Sequence, residues 1–211
     1  MAYDLEEQEQ IDAIKGWWDQ YGKLVIAAVV AVAIGVTAYR GWDYYRNLQA
    51  SKAVTLYDQL TQAQRTQDHK KVRDIAGQIV ERYARTPYAG MAALAAAKAG
   101  FDMSDLAYAK SQLQWVTANA RSDEMKDVAK LRLAGVLLDE KNYAEALSTL
   151  EGKPSEAFAA LYAERKGDIL LAQGKSAEAR VAFQAALEKS EQGSQFRRML
   201  ELKLDNLGEK K

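Results

Sequence analysis

Sixteen consecutive uncharged residues, Leu24–Tyr39 (LVIAAVVAVAIGVTAY), lie between Lys23 and Arg40. A helix that crosses a hydrocarbon core needs roughly 17–25 apolar residues, and the flanks supply the missing length. Trp17, Trp18 and Tyr21 come before the stretch, while Tyr39, Trp42, Tyr44 and Tyr45 end or follow it. Amphipathic rings settle at headgroup level, and Lys23 and Arg40 can bury their stems while their charges reach water. Tyr21 to Trp42 is 22 residues, which makes roughly 33 Å of helix at about 1.5 Å per residue. Eight Leu, Ile and Val residues in the stretch favour insertion by about 2.5–5 kcal/mol in all. A membrane-spanning helix is expected over residues 24–42, in contact with lipid. Trp17, Trp18, Tyr21, Lys23, Tyr39, Arg40 and Trp42 would hold its two interfaces.

Two rivals are weighed against this anchor. A cleaved signal peptide opens with positive charge, but residues 1–23 carry six acids (Asp4, Glu6, Glu7, Glu9, Asp12, Asp19) against Lys15 and Lys23. Cleavage would leave a soluble periplasmic protein. A buried core helix is the other rival, and an aromatic belt at each end argues against it. Within the span, Ala27, Ala31 and Gly35 recur every four residues. Such a smooth ridge lets a second membrane helix approach closely in lipid.

Composition narrows the remaining chemistry. The 211 residues allow one anchor and one domain with a core of its own. Beyond position 23 there are 27 basic and 23 acidic residues, too balanced and dispersed for a nucleic-acid footprint. With no cysteine there is no disulfide. The only histidine, His69, sits in the polar run QDHKK, so neither a metal site nor a Ser/His/Asp set can be assembled. Gly174-Lys175-Ser176 resembles the end of a phosphate-binding loop, but Ile169 stands where the cradle needs glycine. It reads as a helix stop and restart. Asp139-Glu140, Glu164 and Asp168 read as solvated charges on helix surfaces, as do Arg65, Lys70, Lys71 and Arg73 at a turn. No enzyme activity and no cofactor is expected.

Residues 1–23, with Ile11, Ile14, Trp17 and Trp18 at helical spacing, read as an acidic surface helix leading into the span. Residues 43–66 contain no Gly or Pro and read as helix, continuous or nearly continuous with the span, since Gly41 is the only breaker between them. Helix follows helix from there. Thr86-Pro87 offers a cap and an N1 proline, Ser104 and Ser122 offer caps, and Asn142 to Glu145 has capping-box spacing. Gly152-Lys153-Pro154 breaks the chain, and a last helix is expected over 194–207 with Phe196, Met199, Leu200 and Leu204 as its stripe. No stretch alternates with period two over a useful length. The fold class is all-α.

The helices also repeat. Ala146 and Leu150 recur 33 residues later as Ala179 and Phe183, followed by Ala186, while Ala134 and Gly167 stand twelve residues before their respective alanines. Ala109, Leu113 and Val116 precede this register by 37 residues, and Val72, Ala76 and Ile79 by another 37. Periods of this length, with small residues where helices cross, indicate a solenoid of helix pairs.

The Gly167, Ala179, Phe183, Ala186 spacing resembles a tetratricopeptide repeat. The layout as a whole, IDAIKGWWDQYGKLV running into an Ala/Val span, then TPYAGMAALAAAKAGFD and LRLAGVLLDEKNYAEAL, resembles YfgM-type ancillary subunits of the bacterial Sec translocon. That resemblance implies a single-pass inner-membrane protein with a cytoplasmic segment at 1–23, the span at 24–42, and a tetratricopeptide-like periplasmic domain at 43–211. It further implies association with the SecYEG translocon and with a membrane-anchored periplasmic prolyl isomerase, in a chaperone-like role for exported polypeptides. Flanking charge points weakly the other way, with Lys15 and Lys23 before the span against Arg40, Arg46 and Lys52 after it. An envelope scaffold for cell division or wall synthesis is the alternative function.

The repeat pattern places Val128, Leu131 and Leu138, then Leu161, Glu164, Asp168 and Leu171, on the inner wall of the solenoid. A partner segment would lie in that groove. Tetratricopeptide domains that grip a C-terminal carboxylate carry basic residues and asparagines where this chain has Leu131 and Gly135, or Glu164 and Asp168, so that mode is not expected.

Overall fold

The computed structural model describes residues 3–208. The chain ends, and the side chains of the acids at Asp4, Glu6, Glu7 and Glu9, lie outside the described residues. Among the described residues there are α-helices and one short 3-10 turn, and no strand.

α1 runs Tyr3–Arg65. The expected acidic surface helix is therefore the first part of α1 rather than a separate element, and Gly41 does not break it. One glycine costs a helix only about 1 kcal/mol. The chain divides into two compact units between Gln49 and Ala50.

In the first unit, α1 presents its apolar side chains outward. Ile26, Val29, Val32 and Ile34 are exposed, and so are Ile11 and Ile14. This is the one described helix long and apolar enough to cross a membrane, and almost none of that window is buried by protein. The core-helix rival fails on that burial.

The second unit begins with the last turns of α1, where Ala53, Leu60 and Ala63 are buried. It continues with α2 (His69–Arg82), α3 (Pro87–Asp102), α4 (Leu106–Asn119), α5 (Asp123–Asp139), α6 (Tyr143–Thr149), α7 (Ala159–Ala172), α8 (Ser176–Glu188) and α9 (Gln195–Asn206). The repeat register predicted from spacing matches the buried face of every second helix. Val72, Ala76 and Ile79 of α2 are buried, as are Ala109, Leu113 and Val116 of α4. Ala146 of α6, Leu150 just after it, and Ala179, Phe183 and Ala186 of α8 complete the series. Full burial of a side chain such as Leu113 or Phe183 contributes roughly 1.5–3 kcal/mol.

Caps explain where the helices start. Ser122 accepts the Met125 N–H at 3.2 Å, and Ser194 accepts the Arg197 N–H at 3.1 Å. Three expectations shift, the first at Asn142, whose side chain donates to Glu145 Oε2 at 2.5 Å and caps no backbone N–H of α6. The cap of α4 is Asp105, which accepts from Tyr108 N–H at 3.1 Å, because Ser104 takes a left-handed φ of 61° to end α3. Thr86 precedes Pro87 as expected, but its hydroxyl turns back to donate to the Tyr83 carbonyl at 2.8 Å. Gly174, at φ 78°, stops α7. In α9 the packed stripe is Phe196, Leu200 and Leu204, continued by Leu207 just past the helix end. Met199 stands at its exposed edge.

Buried polar groups tie α5 to the α6–α7 connection. Asp127 accepts from the Ser155 N–H at 2.9 Å, from the Ser155 hydroxyl, and from the Tyr162 hydroxyl at 2.9 Å. The chain just past the break at Gly152-Lys153-Pro154 is thereby pinned to the first turns of α5.

Candidate functional site

α3 is alanine-rich, with Ala92, Ala93, Ala96, Ala97 and Ala99 buried. Small side chains let its neighbours pack closely, and the α3–α5–α7 side opens as a groove of about 490 Å³. Ala97, Lys98, Phe101 and Asp102 line it from α3, with Ala109 and Leu113 from α4. Leu131, Arg132, Gly135, Val136 and Asp139 of α5 and Arg165 of α7 complete it. Phe101 is half exposed. Lys98 is held by Asp102 at 2.6 Å.

The seven predicted groove residues do not share this surface. Leu131 lines it. Val128 and Leu161 are half-buried outside its lining, Leu138 packs on the core, and Leu171 is exposed. Glu164 and Asp168 correct the expectation of free acids on an open wall. α9 brings Lys203 to both carboxylates, at 2.6 Å from Asp168 Oδ1 and in direct contact with Glu164. Glu164 is itself buried, and burial holds its carboxyl above the usual carboxylate range. Lys203 is pushed down by burial, but its hydrogen bonds to Asp168 and Glu164 outweigh this and raise it. The acids are thus partnered within the domain, because a helix with little sequence likeness to a repeat occupies the next place in the stack.

Lys98, Phe101, Arg132 and Arg165 were not singled out from sequence. Arg132 and Gly135 follow Leu131 on the same stretch of α5, and Phe101 beside the α3 stop is an aromatic at a turn.

On α1, Trp17, Trp18, Tyr21, Tyr39 and Trp42 are exposed, with Lys23 and Arg40. Trp17 and Tyr21 pair at 5.8 Å between ring centroids, and Trp42 and Tyr45 at 6.3 Å. The Trp18 indole lies over Gly22, where a β-carbon would stand 3.1 Å from the ring. Ala27, Ala31 and Gly35 are exposed, and a β-carbon at Gly35 would meet nothing within 4 Å. His69 Nδ1 stands 3.8 Å from Asp102. Among the described residues no three His, Asp or Glu side chains gather as a metal site.

A tetratricopeptide repeat-like domain family matches residues 15–209. A Neisseria gonorrhoeae protein named ancillary SecYEG translocon subunit is 35% identical over 98% of this chain and 100% of its own length. Proteins of the same name are 30% identical in Haemophilus influenzae, over 98% of this chain and 100% of theirs, and 31% identical in Escherichia coli, over 95% and 96%. No solved structure matches.

Proposed function

The chain belongs to the tetratricopeptide repeat-like family of ancillary SecYEG translocon subunits, and from that premise we propose a membrane-anchored binding module at the Sec translocon. Coverage carries this reading. The likeness runs through the span and every helix pair, over 98% of the chain, so the anchor and the repeats are inherited together. Residues 24–42 anchor the chain in the bacterial inner membrane, with 1–23 cytoplasmic and 43–211 periplasmic. Tethering raises the effective concentration of the groove near emerging polypeptides. The groove holds exported segments in a chaperone-like manner, and the module recruits a membrane-anchored periplasmic prolyl isomerase. The apolar wall of Phe101 and Leu131 supports a protein ligand. Affinity purification from membranes in mild detergent is the test. SecYEG subunits should co-purify with the full chain, and recovery of division or wall-synthesis proteins in their place would overturn the proposal.

A further inference from the structure

Arg165 reaches from α7 across Gly135 of α5, where a β-carbon would stand 3.7 Å from its Nη1. Its Nε is buried and has no hydrogen-bond partner among the described residues. Buried donors are nearly always paired, so this guanidinium keeps hydrogen-bonding capacity that the domain itself does not use, and its Nη1 end lies at Gly135 in the groove lining. Arg132, on the same wall, is likewise in no ion pair among the described residues, whereas Lys98 is already neutralised by Asp102. Against these two arginines the groove sets one acid without an ion pair among the described residues, Asp139, a turn beyond Gly135. A guanidinium fork matches a carboxylate better than any neutral acceptor. The half-exposed Phe101 and Leu131 give apolar surface in the same groove.

Given the groove as the polypeptide site proposed above, we propose that it selects extended internal segments in which an acidic side chain neighbours an apolar one. The carboxylate pairs with Arg165 and Arg132, and the apolar side chain rests on Phe101 and Leu131. A side-chain carboxylate, rather than a chain terminus, fits this wall. Lys98, which could have served a terminal carboxylate as a third cation, is already paired with Asp102.

Fluorescence anisotropy on the full-length protein in nanodiscs tests this with three labelled extended peptides. One carries a central Glu between leucines and an amidated C-terminus, the second has Gln in place of Glu, and the third is the Gln peptide with a free C-terminus. The Glu peptide should bind about tenfold tighter than either Gln peptide, the size of a charge-assisted hydrogen bond. Arg165→Gln and Arg132→Gln should each shrink that preference, while Phe101→Ser weakens all three peptides. Equal binding of the Glu and amidated Gln peptides, still weakened by Phe101→Ser, overturns the carboxylate preference and leaves the groove standing. A preference that survives both arginine variants overturns it too. Tight binding of the free-terminus peptide assigns the cations to chain ends and does the same. If no peptide binds, the groove reading falls as well. Should Arg165→Gln lose its helical circular dichroism, the exposed Arg132→Gln decides.

Discussion

The ring of Phe183 lies against the bare backbone of Gly167, so that a β-carbon there would stand 2.5 Å from Cε1 and 2.6 Å from Cδ1. α7 and α8 cross at this point, and the missing side chain lets them close over a fully buried aromatic. One repeat earlier, Ala134 and Leu150 hold the corresponding places, both fully buried. The larger ring is matched by the smaller crossing residue.

Gly167→Ala should therefore overpack the crossing and cost about 1–3 kcal/mol. Gly135→Ala is the control, since its nearest neighbour would be Arg165 Nη1 at 3.7 Å. There the change should be neutral or stabilising by up to about 1 kcal/mol, from helix propensity. Urea unfolding followed by circular dichroism compares the two. Equal effects would contradict the packing account.

Lys203 joins α9 to α7 through Glu164 and Asp168. Lys203→Met strands a buried carboxylate and should cost about 1–3 kcal/mol, below the full value for a buried pair because Lys203 and Asp168 keep some solvent contact. Adding Glu164→Gln should recover part of the loss, a coupling read from a double-mutant cycle. The folded pKa of Lys203 is raised above 10.5. Its stabilisation is complete below that value and fades as pH climbs through the raised pKa, so Lys203→Met should flatten the alkaline limb of a stability profile.

Asp127 gives the opposite limb. Burial pushes its carboxyl up, but donors from Ser155 and Tyr162 outweigh this and hold it below 3.8. A lowered acid pKa adds stability above the unfolded value and loses it as pH falls through the folded one. Asp127→Asn should cost about 1–3 kcal/mol near neutrality. It should also lose the acid-side slope below pH about 4. An unchanged slope would show that the carboxylate is not the titrating group.

The repeat register is legible in the sequence because small and apolar residues recur at fixed offsets, from Val72 and Ala76 through to Ala179 and Phe183. The apolar span and its aromatic ends were equally plain. Glu164 and Asp168 were misplaced for a physical reason. Their partner Lys203 lies 35 or more residues away, and nothing local in a helix announces a long-range ion pair. The groove's arginines were hidden likewise. Whether an arginine is solvated or lacks an acceptor depends on which helices close around it, as Arg165 shows over Gly135.

Gly35→Ile fills an open face of the span where a β-carbon would meet nothing within 4 Å. If the Ala27, Ala31, Gly35 ridge seats another membrane helix, recovery of SecYEG with the variant should drop while membrane insertion is unchanged. Equal recovery removes the ridge as a contact. Protease added to spheroplasts should digest residues 45–211, and full protection would reverse the proposed topology.

Photo-crosslinking in living cells tests the central claim most directly. A crosslinking residue placed at Leu131, in the α3–α5–α7 groove, is compared with one at Val181, which is exposed on α8 outside it. Adducts with exported polypeptides should form from Leu131 and not from Val181. Equal yields from both positions, or adducts from Val181 alone, would contradict a groove that holds chains as they are exported.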